Sequence, residues 1–496
     1  MLTLLPLNDL QLAVQAESVE PIPQGALLRG EHVTLLHPFG ETLFYRHGWH
    51  SWSLSCWLPL SKSMAAPLAR NLWPQIDHPS LLDEYPFTSS CVSALQAPEG
   101  KVLLLGALGL EARVKVSSET ISGSYAAPAP ADPEWFLAYG SELSVFKDYA
   151  YLLGQRLGVR SAGQPPRVWC SWYSLYREIT EEIILGIIPG LDGLPFEVFQ
   201  VDDGWQVSLG DWQPNEQFPS GMAALAGKIR SSGYTAGLWL APFAVGPKST
   251  IFQEHPEWLL RDERGEPAPA GHNWGDDFYG LDVTHPGVQK WLADLIRQVR
   301  VWGYDYLKLD FLYTAALPGV RYQKLSSELA LRKGMEIIRH AAGEDAYILT
   351  CGVPILATLG LADGVRIGPD VAPLWDNGAR SQILHDLSGP STLNAIRTSL
   401  HRLWLRPLIQ VDPDVAFFRT QYNLLSPGQK TLLQDLVQIT GFHATSDLPA
   451  WLLPEERQAL LSFLQAHPRL TQIDRYRFLL DERLVDFSDL EGLVPA

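Results

Sequence analysis

Three short stretches of the chain bring carboxylates and cations together at spacings that suit acid–base chemistry. Tyr304–Phe311 reads YDYLKLDF, Asp202-Asp203-Gly204-Trp205 closes one apolar run, and Arg366-Ile-Gly-Pro-Asp370 closes another. In the first stretch Lys308 and Asp310 share one parity, while Leu307, Leu309 and Phe311 share the other. Alternate side chains of a strand face opposite ways, so Lys308 and Asp310 project from one face at the strand's C-terminal end. A cation beside a carboxylate favours the ionised form. A fixed, ionised carboxylate is what a nucleophile for glycoside cleavage requires. The pair also reads as a structural ion pair at a strand end, and this stretch alone does not separate the two.

The carboxylates Asp202, Asp203, Asp310 and Asp370 cannot all ionise with equal ease in one pocket, because like charges raise one another's pKa. Lys308 and Arg366 offset part of that repulsion. A division of labour follows. Asp310, next to Lys308, is the ionised nucleophile. Asp370 lies four residues past Arg366 in a Gly-Pro turn, farther from its cation along the chain, and keeps a proton to act as the acid. Asp202 and Asp203 accept hydrogen bonds from substrate hydroxyls. The plainer reading of Asp202-Asp203-Gly204 is a turn that caps the next helix. His272-Asn-Trp-Gly-Asp-Asp277 lacks metal-ligand spacing and reads as a polar surface loop. Neither a phosphate-binding G-x-G-x-x-G nor a G-x-S-x-G elbow is present, so no cofactor and no metal is expected.

The elements that must position these residues repeat. Short apolar strands are expected at Arg167–Trp172, Val198–Asp202, Thr235–Ala241, Tyr306–Phe311, Tyr347–Cys351, Gly364–Ile367, Pro407–Val411 and Leu436–Gly441. Amphipathic segments alternate with them: Ile179–Ile188, Ala223–Ser231, Gly287–Trp302, Ser326–Ala341 and Thr392–Trp404. Strand–helix units in that number match a (β/α)₈ TIM barrel, whose chemistry sits at the C-terminal strand ends. Those ends are polar or aromatic here: Trp169-Cys-Ser-Trp-Tyr173, Asp202–Trp205, Trp239–Phe243, Lys308 and Asp310, Cys351-Gly352, and Arg366–Asp370. Packing alone does not require so many at one rim. The long stretch Pro247–Thr284 shows little periodicity.

Before the barrel, residues 1–160 read as an antiparallel β-sandwich, with runs such as His32–Leu36, Lys101–Leu105 and Ala112–Val116 set between turn residues that include the Ala/Pro-rich Ala126–Pro133. The cluster Arg46-His47-Gly48-Trp49-His50-Ser51-Trp52-Ser53 reads either as a packed hairpin with buried rings or as a loop that reaches a neighbouring site. A helix at Asp148–Arg156 and the breaker Gly163–Pro166 lead into the barrel, residues 161–450. Residues 451–496 hold a helix, Pro454–Ala466, and strand-like runs Tyr476–Leu480 and Arg483–Phe487, a small C-terminal β domain.

Composition narrows the partners. The chain has 496 residues, 46% of them hydrophobic, and a formal net charge of −17. That charge argues against nucleic acid and against an anionic membrane. Its 17 Trp and 17 Tyr residues suit sugar rings, which have an apolar face and a polar edge, although core packing is their default use. Cys56, Cys91, Cys170 and Cys351 are scattered, which fits a reducing, cytoplasmic setting. No signal peptide and no membrane span is expected. A homo-oligomer is left open.

A series of motifs in fixed order completes the picture: RHGWHSWS at Arg46–Ser53, WCSWYSLY at Trp169–Tyr176, FQVDDGWQ at Phe199–Gln206, GLWLAPF at Gly237–Phe243, YGLDVTHP at Tyr279–Pro286, YLKLDF at Tyr306–Phe311 and VRIGPDVAPLW at Val365–Trp375. In this series the chain resembles the α-galactosidases of glycoside hydrolase family 36. The resemblance implies a β-supersandwich, a catalytic barrel and a C-terminal β domain. It implies retaining hydrolysis of terminal α-galactosyl residues of oligosaccharides, with Asp310 as nucleophile and Asp370 as acid/base. Asp202 and Asp203 would bind the 4- and 6-hydroxyls, and Lys308 and Arg366 other hydroxyls. Trp172, Trp205, Trp239 and Cys351 would line the sugar site, with Trp49 and His50 reaching in from the first domain. Relatives often carry Gln in place of His50. Other readings are an α-N-acetylgalactosaminidase, a galactosyl transferase on the same barrel, and a non-catalytic galactoside-binding protein.

Overall fold

A computed structural model describes residues 2–127, 129–160 and 163–495. The expected boundary between first and second domains, at residues 160 and 161, meets the undescribed residues 161 and 162, and residue 128 of the Ala/Pro-rich turn also lies outside.

The N-terminal part is two antiparallel sheets. One has six strands in the order Leu2–Leu7, Leu10–Gln15, His32–Leu36, Thr120–Tyr125, Ala112–Val116, Thr88–Ser90. The other has seven: Ser18–Ile22, Gly25–Arg29, Glu134–Gly140, Val102–Ala107, Val92–Gln96, Leu43–Arg46, Cys56–Pro59. Parity explains why Val102–Ala107 is buried along its whole length. Leu103 and Leu105 face the six-stranded sheet, among Leu12, Val14, Val33, Leu35 and Ile121. Val102 and Leu104 face the other way and join Phe136, Phe146, Tyr149 and Leu153 in the core shared with the rest of the chain. A strand covered on both faces has no need of polar alternation. The helix that makes this second layer runs Glu142–Leu157, starting earlier than the expected Asp148 and ending at Gly158 in the left-handed region. Ser141 stands in extended backbone at its start without a side-chain cap, and Glu142 places a negative charge in the first turn.

The chain then builds an eight-stranded sheet in which every pairing is parallel. Its strands are β1 (Val168–Cys170), β2 (Val198–Val201), β3 (Thr235–Leu240), β4 (Tyr306–Leu309), β5 (Tyr347–Thr350), β6 (Gly364–Arg366), β7 (Gln410–Asp412) and β8 (Ala444–Thr445). The order across the sheet is β7-β6-β5-β4-β3-β2-β1-β8. Just past β7 the Ala416 N–H donates to Ala444 O of β8 at 2.9 Å, linking the two outer strands.

Two of the expected strands are corrected. The seventh begins at Gln410, after a turn that includes Leu403–Leu405, rather than at Pro407. The expected eighth, Leu436–Gly441, is the C-terminal half of a helix, Pro427–Thr440. That helix carries a capping box from Ser426 and Gln429, Pro427 in its first turn, and Gly441 at φ 78° after its last. Its buried residues Leu433, Leu436, Val437 and Thr440 follow the helical period. Those caps outweigh the short apolar run. Helices at Met222–Ser231, Pro286–Trp302, Ser327–Ala342 and Thr392–Leu400 lie close to expectation.

Beyond the parallel sheet come a helix, Pro454–Gln465, and three antiparallel strands, Leu470–Gln472, Arg477–Leu480 and Arg483–Asp486. Phe478, Leu480, Val485 and Phe487 are buried in the same core as the parallel sheet. Arg483 grips Asp435 of the helix Pro427–Thr440 through two bonds, 2.6 and 3.0 Å.

The loop between Arg46 and Cys56 ties the first part to the second. Arg402, fully buried, donates to the carbonyls of His50 (2.8 Å), Ser53 (3.0 Å), Gly48 (3.2 Å) and Ser51. Ser51 N–H donates to Val353 O at 3.1 Å, and Val353 N–H to Ser51 Oγ at 3.1 Å. The cluster is a packed hairpin turn, and its backbone bonds to Val353 just past β5.

Candidate active site

At the end of β4 the Asp310 N–H still donates to Leu240 O of β3 at 2.8 Å, and Phe311 then turns into the left-handed region at φ 52°. This sharp exit holds the carboxyl of Asp310 at the sheet rim. Its Oδ1 accepts the Phe311 N–H at 2.8 Å and its Oδ2 the Trp239 Nε1–H at 3.1 Å.

Lys308 does not pair with Asp310 as the sequence suggested. Its Nζ lies 2.8 Å from Asp202 Oδ2, and both side chains are buried. Inward side chains of one interior layer come from alternate strands of a curved parallel sheet. Asp202, at the end of β2, is therefore a better partner for a β4 lysine than the residue two places along its own strand. Burial opposes the charge on Lys308, but Asp202 and the other acids hold its pKa well above the ordinary lysine value. Asp202 Oδ2 also accepts from Gln200 Nε2 at 2.5 Å and Cys170 Sγ at 3.4 Å.

Asp203 sits in an Asp-Gly turn, with Gly204 at φ 122°, but the turn opens the hairpin Gln206–Ser208 with Asp211–Pro214 rather than capping a helix as the plainer reading expected. Its carboxyl still faces ligand-like donors: Oδ1 accepts Gln206 Nε2 at 2.5 Å and Oδ2 accepts Trp274 Nε1 at 2.7 Å. Burial pushes the Asp203 carboxyl up, against these two donors and Arg177. Trp274 escaped the sequence reading. The stretch taken for a polar surface loop is a hairpin, Pro269–Asn273 with Asp276–Gly280. Its tip residues Trp274 and Gly275 both have positive φ, 55° and 81°. An Asn-x-Gly sequence before an alternating run was the available signal.

Arg366, at the end of β6, is divided among three carboxylates. Its Nε donates to Asp412 Oδ2 at 2.9 Å, and its Nη1 lies 2.9 Å from Asp414 Oδ2 and 3.2 Å from Asp370 Oδ1. Asp370 is the most open of these acids, with 30% of its side chain exposed. Desolvation raises the Asp370 pKa, Arg366 and Lys308 oppose, and the charge of Asp310 raises it further. Asp310 and Asp370 thus act on one another, and both act on the buried thiol of Cys351, which burial and Asp310 push up. Tyr173 donates to Asp414 and accepts from Arg366 Nη1 at 3.3 Å. Tyr173, Asp412 and Asp414 were not singled out from the sequence, because they lie on other strands and no short-range spacing connects them to Arg366.

The remaining expected site residues divide. Trp239 and Cys351 stand with Asp310, and the half-buried Trp172 packs edge-on against Tyr176, 5.4 Å between centroids, near Asp370. Trp205 is in the core behind Trp239, its Nε1 donating to Trp239 O at 3.0 Å and its side chain without solvent exposure. Trp49 and His50 are likewise buried. Trp49 packs edge-on against His78 at 4.7 Å, and His50 stacks on Tyr313 at 5.1 Å. The ring of that segment that meets the rim is Trp52, edge-on to Phe311 at 5.0 Å. It covers Gly352, where a Cβ would come within 2.8 Å of the indole. Three small polar residues and a glycine around those rings gave no sequence cue as to which Trp would face the rim. Among the described residues no group of three or more His, Cys, Asp or Glu side chains is placed to hold a metal.

The chain is similar to known proteins. The Melibiase family model matches residues 147–330. The solved structure of TtGalA, an alpha-galactosidase from Thermus thermophilus in complex with p-nitrophenyl alpha-D-galactopyranoside, superposes with a TM-score of 0.93 at 49% identity, over 98% of this chain and 99% of that one. A second structure of that protein, in complex with stachyose, gives a TM-score of 0.89 at 50% identity, over 94% of this chain and 99% of that one. Alpha-galactosidase 1 of Pediococcus pentosaceus is 27% identical over 209 residues, 38% of this chain but only 28% of that protein's length.

Proposed function

The chain belongs to the α-galactosidase family, and we propose that it hydrolyses terminal α-D-galactosyl residues of galactosides by a retaining double displacement. The observation that carries this reading is the pair Asp310 and Asp370 at the ends of β4 and β6, each within electrostatic reach of the other and differently supported. The full-length likeness to a protein crystallised with an aryl galactoside and with stachyose supports the substrate class.

In this mechanism Asp310, held by two neutral N–H donors, attacks the anomeric carbon while Asp370 gives its proton to the leaving oxygen. A galactosyl-aspartate forms. Asp370, now a base, takes a proton from water, which attacks the same carbon and restores the anomeric configuration. Asp203 and the free lone pairs of Asp202 accept hydrogen bonds from the sugar's hydroxyls, and Lys308 donates one to a hydroxyl oxygen. Trp172 and Trp239 line the sugar, and Cys351 and Trp52 close its floor.

The parallel sheet is read as a closed (β/α)₈ TIM barrel spanning about residues 161–450, supported by the link from Ala416 to Ala444. Residues 1–160 form the N-terminal sandwich, and residues 451–496 a small C-terminal β domain that shares the barrel's core. Four buried free thiols suit a cytoplasmic protein.

The test is hydrolysis of aryl α-galactoside beside aryl α-glucoside and aryl α-N-acetylgalactosaminide, with the first-formed anomer read by NMR. The expected result is fast release from the galactoside alone and α-galactose as first product. First-formed β-galactose would overturn the double displacement. Preference for the N-acetylated sugar would replace the donor, dominant transfer to added sugar would make the enzyme a transferase, and tight binding without turnover would make it a binding protein.

A further inference from the structure

Resting on that reading, one cluster around the acid/base has no assigned task. Asp412 ends β7, and Asp414 follows it at φ 86°, a conformation that costs an aspartate energy and is retained. Every oxygen of the Asp414 carboxyl is engaged. Oδ2 accepts the Val371 N–H at 2.9 Å, faces Arg366 Nη1 at 2.9 Å and receives the Tyr173 hydroxyl, while Oδ1 accepts the Val415 N–H at 2.8 Å. The Asp414 N–H in turn donates to Asp412 Oδ1 at 2.8 Å. Val371 directly follows Asp370, so Asp414 fixes both the guanidinium and the backbone beside the acid.

We propose that Asp412 and Asp414 are positioning residues that draw the Arg366 guanidinium away from Asp370, leaving the acid one 3.2 Å contact and therefore its proton. An arginine given wholly to Asp370 would form a bidentate pair and stabilise the deprotonated form. With its Nε on Asp412 and its Nη1 shared, Arg366 cannot do so. The charged and titratable groups facing Asp370 are Arg366, Lys308, Asp310, Tyr173, Tyr176 and Asp414, with Cys351 behind; those facing Asp414 are Arg366, Asp370, Asp412 and Tyr173. Burial, with the charges of Asp370 and Asp412, pushes Asp414 up to about 7. Like charges side by side raise one another's pKa, so Asp414 and Asp412 add to the hold on the Asp370 proton.

The test is the pH profile of kcat/KM for D414N and, separately, D412N, on an aryl α-galactoside with a poor leaving group. The basic limb should move down by about one pH unit in each, so that activity one unit above the wild-type limb falls about tenfold. KM at the plateau should stay within about twofold, and a substrate whose leaving group needs no protonation should show little of the shift. A uniform drop in kcat with an unmoved basic limb would overturn the proposal, and D412N decides if D414N does not fold. Wild-type protein inactive on every α-galactoside would instead overturn the functional reading, a separate outcome.

Discussion

The two rims that hold the candidate acids are built from the same residue types and work in opposite ways. Around β2, β3 and β4 the lysine is given to Asp202, and Asp310 is served by neutral dipoles, the Trp239 indole and the Phe311 amide. Around β6 and β7 one guanidinium is split three ways, and the acid that matters receives the weakest share. The difference teaches that a cation next to a carboxylate in sequence does not settle its protonation; what else holds the cation does.

Breaking each rim should show this. The D310N variant should lose about 10⁴-fold in kcat on every aryl galactoside, whatever the leaving group, because the bond-forming atom is gone. Retained turnover would remove Asp310 from the chemistry. K308M should cost about 3–5 kcal/mol of folding stability by stranding Asp202, measured by denaturant unfolding. The sign with pH is set by the raised Lys308 pKa. The contribution is complete below the unfolded lysine value, roughly 10.4, declines as pH rises beyond it, and is gone above the still higher folded value. An equal loss at pH 7 and above pH 11 would contradict the assignment.

Legibility in the sequence followed locality. β4, the sandwich strands and most helices were readable because their patterns lie within a few residues. The eighth strand was missed because Leu436–Ile439 is apolar enough for either period, and only the caps at Ser426 and Gly441 decide. Which acid each cation would serve was not readable, since Lys308 and Asp202 are 106 positions apart. Nor was the choice of Trp52 over Trp49 and His50, which depends on how a buried loop is pinned. Asp202-Asp203-Gly204 does form a turn, but it leads into a hairpin and not a helix, which the two acids alone did not reveal.

Two milder variants sharpen the contrast. D370N should lose about 10²–10³-fold with a poor leaving group and much less with an activated one, a dependence that D310N should not share. W239F removes one neutral donor from Asp310 and should lower kcat about tenfold with little change in KM. A larger effect on KM than on kcat would recast Trp239 as a binding contact alone.

Arg402 has a consequence beyond the site. Desolvation pulls its pKa down to about 10, and its carbonyl partners are those of Gly48, His50, Ser51 and Ser53 in the loop after Arg46, together with that of Ile367 just past β6. Without that loop the guanidinium would keep one of these five carbonyl partners, that of Ile367. The N-terminal sheets thus supply partners inside the parallel-sheet half, and any chimera exchanging one half must transplant this loop with it.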